Sequence, residues 1–84
     1  MSLSKKAAEH LKALRIYNGL NTEQFAKLIG QKREAVSRWE HGRQDLRMKT
    51  FDKICTDLGL EPENFICGLP EVKLDIDKIT SSKP

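Results

Sequence analysis

LNTEQFAKLIGQKREAVSRWEHG, from Leu20 to Gly42, decides how this chain folds. Phe25, Ala26 and Ile29 recur at helical spacing, and after a break Val36 and Trp39 do the same. Gly30 stands between the two patterns, where glycine accepts the left-handed backbone in which helices end. Asn21 is a good N-cap, and Gln24 follows three residues later as its capping-box partner. The stretch reads as two short amphipathic helices, Thr22 to Ile29 and Arg33 to His41, joined by a tight turn and closed by Gly42. Ala26 is small enough to let the two helices cross closely. Lys32, Arg33, Glu34, Ser37 and Arg38 fall on the face that the second helix's apolar residues leave free.

Working outward, the spacing predicts a helix over Ser4 to Tyr17, capped by Ser4, with Ala7, Leu11, Leu14 and Tyr17 as its apolar stripe. Asn18-Gly19 ends it. Beyond the polar loop RQDLR, a helix is expected over Lys49 to Leu58, with Met48, Phe51, Ile54 and Leu58 inward and Gly59 at its end. Pro62 suits a first helical turn, so a fifth helix runs from Pro62 to Cys67, and Phe65 and Ile66 close the core. EVKLDID, Glu71 to Asp77, alternates apolar and polar residues with the period of a strand. A lone strand needs a partner. Two copies pairing through Val72, Leu74 and Ile76 would supply one; a tail packed on its own domain, or a short helix, are the other readings. Thr80 to Pro84 is expected to be disordered. The organisation expected is an all-α, compact five-helix bundle over residues 1–69, followed by a strand-like tail over 70–84.

Eighty-four residues make one small domain with a modest core, so help from a partner subunit is expected. Mean hydropathy of −0.56 fits a soluble protein, and no apolar run approaches a membrane span. MSLSKKAAEHLKAL starts positive but lacks a long apolar core, so no secretory signal is read and a cytoplasmic location is expected. Charge is unevenly placed. From Lys27 to Lys49 seven basic residues face three acidic ones, whereas from Asp57 to Asp77 six acids face one base. A positive middle and a negative far end suggest one surface for a polyanion and another turned away from it. Cys55 and Cys67 make no metal pattern, and two reduced, half-buried thiols are expected. No Ser–His–Asp order, phosphate loop or dominant carboxylate pair points to an enzyme; Glu9-His10 has no third group beside it. No cofactor or metal is expected.

A helix that braces and a second that presents charged residues is the layout of a helix-turn-helix, whose second helix enters a DNA major groove. Leu11 to Phe65 resembles the phage Cro- and repressor-type, XRE-like helix-turn-helix family. The resemblance rests on LKALR at Leu11–Arg15, GL at Gly19–Leu20, FAKLIG at Phe25–Gly30, SRWEHG at Ser37–Gly42 and TFDKICTDLGL at Thr50–Leu60. Each is weak alone; in order and at this spacing they are strong. The resemblance implies a lambda-repressor-like bundle that binds double-stranded operator DNA as a homodimer. It implies a structural ion pair between Arg15 and Glu40. It places Lys32, Arg33, Glu34, Ser37 and Arg38 toward the major groove, and Thr22, His41 and Arg43 at the DNA backbone.

The chemistry of these side chains agrees. Arg33 or Arg38 can donate two hydrogen bonds to guanine, and Glu34 can accept from cytosine, although in the free protein a pair between Glu34 and Arg38 is favoured. The chain departs from the family in three places. Thr22 stands where glutamine is usual, Gln31-Lys32 replaces a serine or threonine cap, and Leu46 replaces a proline. Leu46 is either a dimer contact or core. The function expected is a sequence-specific regulator, most simply a dimeric repressor reading an inverted repeat. The alternative is the antitoxin of a toxin–antitoxin pair, its acidic half holding the toxin; the controller of a restriction–modification system is a further variant.

Overall fold

Residues 3–81 are described by a computed structural model, and they form six helices with no strand among them. α1 spans Leu3–Tyr17, α2 Thr22–Ile29, α3 Arg33–Glu40, α4 Met48–Asp57, α5 Pro62–Cys67 and α6 Ile76–Ser81. α2 and α5 have the bounds expected of them. α1 and α3 differ from the expected bounds by one residue at one end, and α4 by one residue at each end. α1 begins at Leu3, so Ser4 lies within its first turn and does not cap it.

α2 starts where its sequence dictates. The Gln24 amide donates to Asn21 Oδ1 at 2.7 Å, and the Asn21 amide donates to Gln24 Oε1 at 2.9 Å. This reciprocal box satisfies two amides that a helix start otherwise leaves without partners. Gly30 ends α2 at φ 70°, and the turn lets the Gln31 amide donate back to the Ala26 carbonyl at 2.9 Å. An L side chain is strained at that φ, so the sharp redirection into α3 requires glycine.

One core binds all six helices. α1 gives it Ala7, Ala8, Leu11 and Leu14; α2 gives Phe25, Ala26, Leu28 and Ile29; α3 gives Val36 and Trp39. Phe51 of α4 stacks on Phe65 of α5 with ring centroids 6.1 Å apart. Burying a residue of this size contributes about 1.5–3 kcal/mol. Leu46 is 1% exposed, which places it in the core. Cys55 is fully buried and Cys67 exposed, so the two thiols differ and neither is half-buried. Burial, with Asp52 adding to it, pushes the Cys55 thiol from 9.0 up to about 12. The fold therefore holds its proton, and the stability this gives is lost as pH rises from about 9 through about 12.

Three further expectations are corrected. Tyr17 is exposed; the inward place one turn past Leu14 belongs to Asn18. The strand over Glu71 to Asp77 is absent. Residues 71–75 have no regular structure, and α6 begins at Ile76. The physical reason is Asn18. Its Nδ2 donates to the Leu14 and Val72 carbonyls at 2.8 and 2.9 Å, and its Oδ1 accepts the Leu74 amide at 2.9 Å. The tail thus pairs the Val72 carbonyl and the Leu74 amide on its own domain. Leu74 and Ile79 sit in the same core as the helix pair, and α6 packs against α2. Thr80 and Ser81, expected to be disordered, belong to α6. Residues 82–84 of that expected tail lie outside the described residues.

Candidate nucleic-acid interface

α3 is an eight-residue helix with two unlike faces. Val36 and Trp39 are buried, at 2% and 8% exposure. Lys32, Arg33, Glu34 and Arg38 are exposed and Ser37 is half-buried. Thr22, the first residue of α2, joins Arg33, Glu34, Ser37, Arg38 and Arg43 around one shallow concavity. Three guanidinium groups and a single carboxylate give it a positive field, suited to a polyanion. Lys32 and His41 lie outside that lining. Lys32 is the residue just before α3, and His41 reaches back to Ser37, its Nδ1 2.8 Å from the Ser37 carbonyl oxygen.

The pair expected between Glu34 and Arg38 does not form. Glu34 Oε1 lies 3.9 Å from Arg33 Nη2 instead, and both side chains are 61% exposed. So open a pair is worth at most a few tenths of a kcal/mol, roughly. Arg38 is left to meet a ligand. Lys32 has helix-starting backbone angles but no side-chain cap hydrogen bond. The Arg33 and Glu34 amides find no acceptor among the described residues. Unpaired amides at a helix start favour anions nearby.

α3 is held from behind at its other end. Arg15 Nε donates to Glu40 Oε2 at 2.8 Å and Arg15 Nη2 to Glu40 Oε1 at 2.9 Å, a bidentate pair with side chains 14% and 7% exposed. The third nitrogen, Nη1, donates to the Leu20 carbonyl at 2.9 Å. Only a planar guanidinium has this fork, so α1, the turn before α2 and the end of α3 are fastened by one side chain.

A larger concavity, of about 530 Å³, lies between α1 and the loop after α3. Ala8 and Trp39 floor it, with Lys5, Lys12, Glu9 and Asp45 around it. Glu40 also lines it but is paired with Arg15; the remaining two cations and two carboxylates offset each other, and it lacks the field found over α3. Of the residues assigned to dimerisation, Leu74 is spent in the core, while Val72 and Ile76 pack partly against it. Sequence reading missed Asn18 as the tail's clasp, because its partners are more than fifty residues away.

A helix-turn-helix family model matches residues 11–65, which contain both α2 and α3 and both ends of the Arg15–Glu40 pair. The chain belongs to the XRE/Cro-type helix-turn-helix family. It is therefore a DNA-binding transcription regulator. No curated protein and no solved structure matches the chain. In this helix-turn-helix protein no helix among the described residues is long and apolar enough to cross a membrane.

Proposed function

We propose that this helix-turn-helix protein is a sequence-specific repressor that binds an inverted-repeat operator as a dimer. The observation that carries the reading is the outer face of α3, where Arg33, Arg38 and Ser37 share a positive concavity with Thr22 and Arg43. α3 lies in the major groove. Lys32, Arg33, Glu34, Ser37 and Arg38 face base edges, and Thr22, His41 and Arg43 meet phosphates. An eight-residue helix is about 12 Å long and spans one half-site, which is why a second copy is invoked. Two recognition helices about 34 Å apart read half-sites one turn apart. Covering a promoter then suffices to repress it.

Selection from a random duplex pool at near-physiological salt tests this. Enrichment of an inverted repeat with half-sites one turn apart is the expected result. Weak, salt-sensitive binding without enrichment overturns base reading by α3. Arg33→Ala and Arg38→Ala should each reduce discrimination against a changed cognate base pair by about 1–3 kcal/mol. A promoter–reporter fusion carrying the enriched site then separates repression from activation.

A second reading, a toxin-binding antitoxin that also represses its own operon, draws on the other end of the molecule. All six acids from Asp57 to Asp77 are exposed, and Leu69 among them is 80% exposed. Co-purification of a defined partner that Leu69→Asp releases supports it; isolation of the protein alone, repeatedly, counts against it.

A further inference from the structure

His41 follows α3, and its ring folds back over the helix's last turn. Nδ1 lies 2.8 Å from the Ser37 carbonyl oxygen and 3.4 Å from Ser37 Oγ. A carbonyl oxygen only accepts, so Nδ1 carries a hydrogen and donates it. This fixes the neutral ring in one tautomer, with a lone pair and no hydrogen on Nε2. Nε2 has no partner among the described residues. A DNA phosphate oxygen is also only an acceptor. The neutral ring therefore offers phosphate a lone pair against a lone pair. The imidazolium donates from both nitrogens, Nδ1 to Ser37 and Nε2 to the phosphate, in a charge-assisted bond. Nδ1 carries its hydrogen in both states, so the Ser37 hydroxyl hydrogen is free of it throughout.

Resting on the proposed placement of His41 at the DNA backbone, we infer that DNA binding takes up a proton at each His41, so that affinity for DNA rises as pH falls through the histidine range. Charged groups line the concavity that the ring shares. Lys5, Glu9 and Lys12 of α1, Glu40 on α3 and Asp45 of the following loop line the same concavity as His41. Glu40 is held by Arg15, and Arg43 lines the concavity over α3. Lysine, arginine and carboxylate side chains keep their charges between about pH 5.5 and 8. The other histidine, His10, faces away. Its Nε2 is 3.2 Å from the Gly68 carbonyl oxygen and its ring stands T-shaped against Phe65, between α1 and α5.

The test measures binding of the full chain to a labelled mixed-sequence duplex of about 30 base pairs, long enough for two half-sites. Salt is fixed and pH varied from about 5.5 to 8. Wild type, His41→Gln and His10→Gln are compared. Glutamine keeps an N–H donor near the position of Nε2 and does not titrate. Wild type and His10→Gln are expected to gain up to about tenfold in affinity per pH unit for each His41 engaged, and His41→Gln to stay flat. The same slope in His41→Gln overturns the inference. So does a flat wild type whose binding still falls with salt, a result that leaves the DNA reading standing. Absence of salt-sensitive duplex binding at every pH brings down the DNA reading and this inference together. A second measurement needs no DNA. Long-range nitrogen–proton NMR correlation on the free protein should show neutral His41 with its hydrogen on Nδ1; a hydrogen on Nε2 overturns the inference.

Discussion

α2 and α3 are the same length, eight residues each, and are built on opposite plans. α2 is closed at both ends, by the Asn21–Gln24 box and by Gly30, and buries Phe25, Ala26, Leu28 and Ile29. α3 has no side-chain cap at Lys32 and buries only Val36 and Trp39. α2 holds itself in place; α3 is held by its neighbours, chiefly through Arg15 and Glu40. The difference shows how a small fold frees one helix for a ligand. Local stabilisation goes to α2, and α3 keeps its outer face and first amides uncommitted.

Removing what holds α3 should have the largest effect. Glu40→Ala leaves a largely buried guanidinium with only the Leu20 carbonyl, and should cost about 3 kcal/mol in urea unfolding followed by far-UV circular dichroism. A loss below about 1 kcal/mol would mean that Val36 and Trp39 seat α3 unaided. Next comes the crossing of the two helices. Ala26 is 2% exposed, so Ala26→Leu should overpack it, cost about 1–3 kcal/mol and weaken DNA binding by displacing α3. Asn21→Ala removes the cap of α2 and should cost about 1 kcal/mol by the same unfolding measurement. The smallest effect has the opposite sign. Lys32→Thr gives α3 the cap it lacks and should add about 0.5 kcal/mol of stability while weakening DNA binding. If it instead destabilised the fold, the uncapped start of α3 would not be the weak point of the helix pair.

The sequence disclosed those parts whose cause is local. Asn21, Gln24, Gly30 and Pro62 act within a few residues of themselves, and the helices they bound lie where expected. Leu46 was legible as apolar but not as buried, because a single apolar residue in a polar loop has no period to give it a side. Tyr17 misled for a related reason. It continues the stripe of Ala7, Leu11 and Leu14 in chemistry, but one turn past Leu14 falls on Asn18, a polar residue whose partners come from the tail. Val72, Leu74 and Ile76 alternate like a strand, yet a signal for α6 was present. Asp75 accepts the Lys78 amide at 3.1 Å as an N-cap, and Ile76 and Ile79 follow at helical spacing. For the interface, residue type and face were readable. The Arg33–Glu34 approach and the His41 ring's return to Ser37 were not, because side-chain rotamers decide them.

Trp39 is the chain's single tryptophan, 8% exposed on the inner face of α3 and adjacent in sequence to Glu40. An indole's emission depends on what surrounds it, so this protein carries one tryptophan fluorophore, and it sits on the inner face of α3. Loosening of α3 from α1 shifts the emission even where the helical content stays the same. DNA that docks on the outer face without moving α3 leaves it nearly unchanged. A titration watched at that one wavelength band therefore separates a reader that docks rigidly from one that is reseated as it binds.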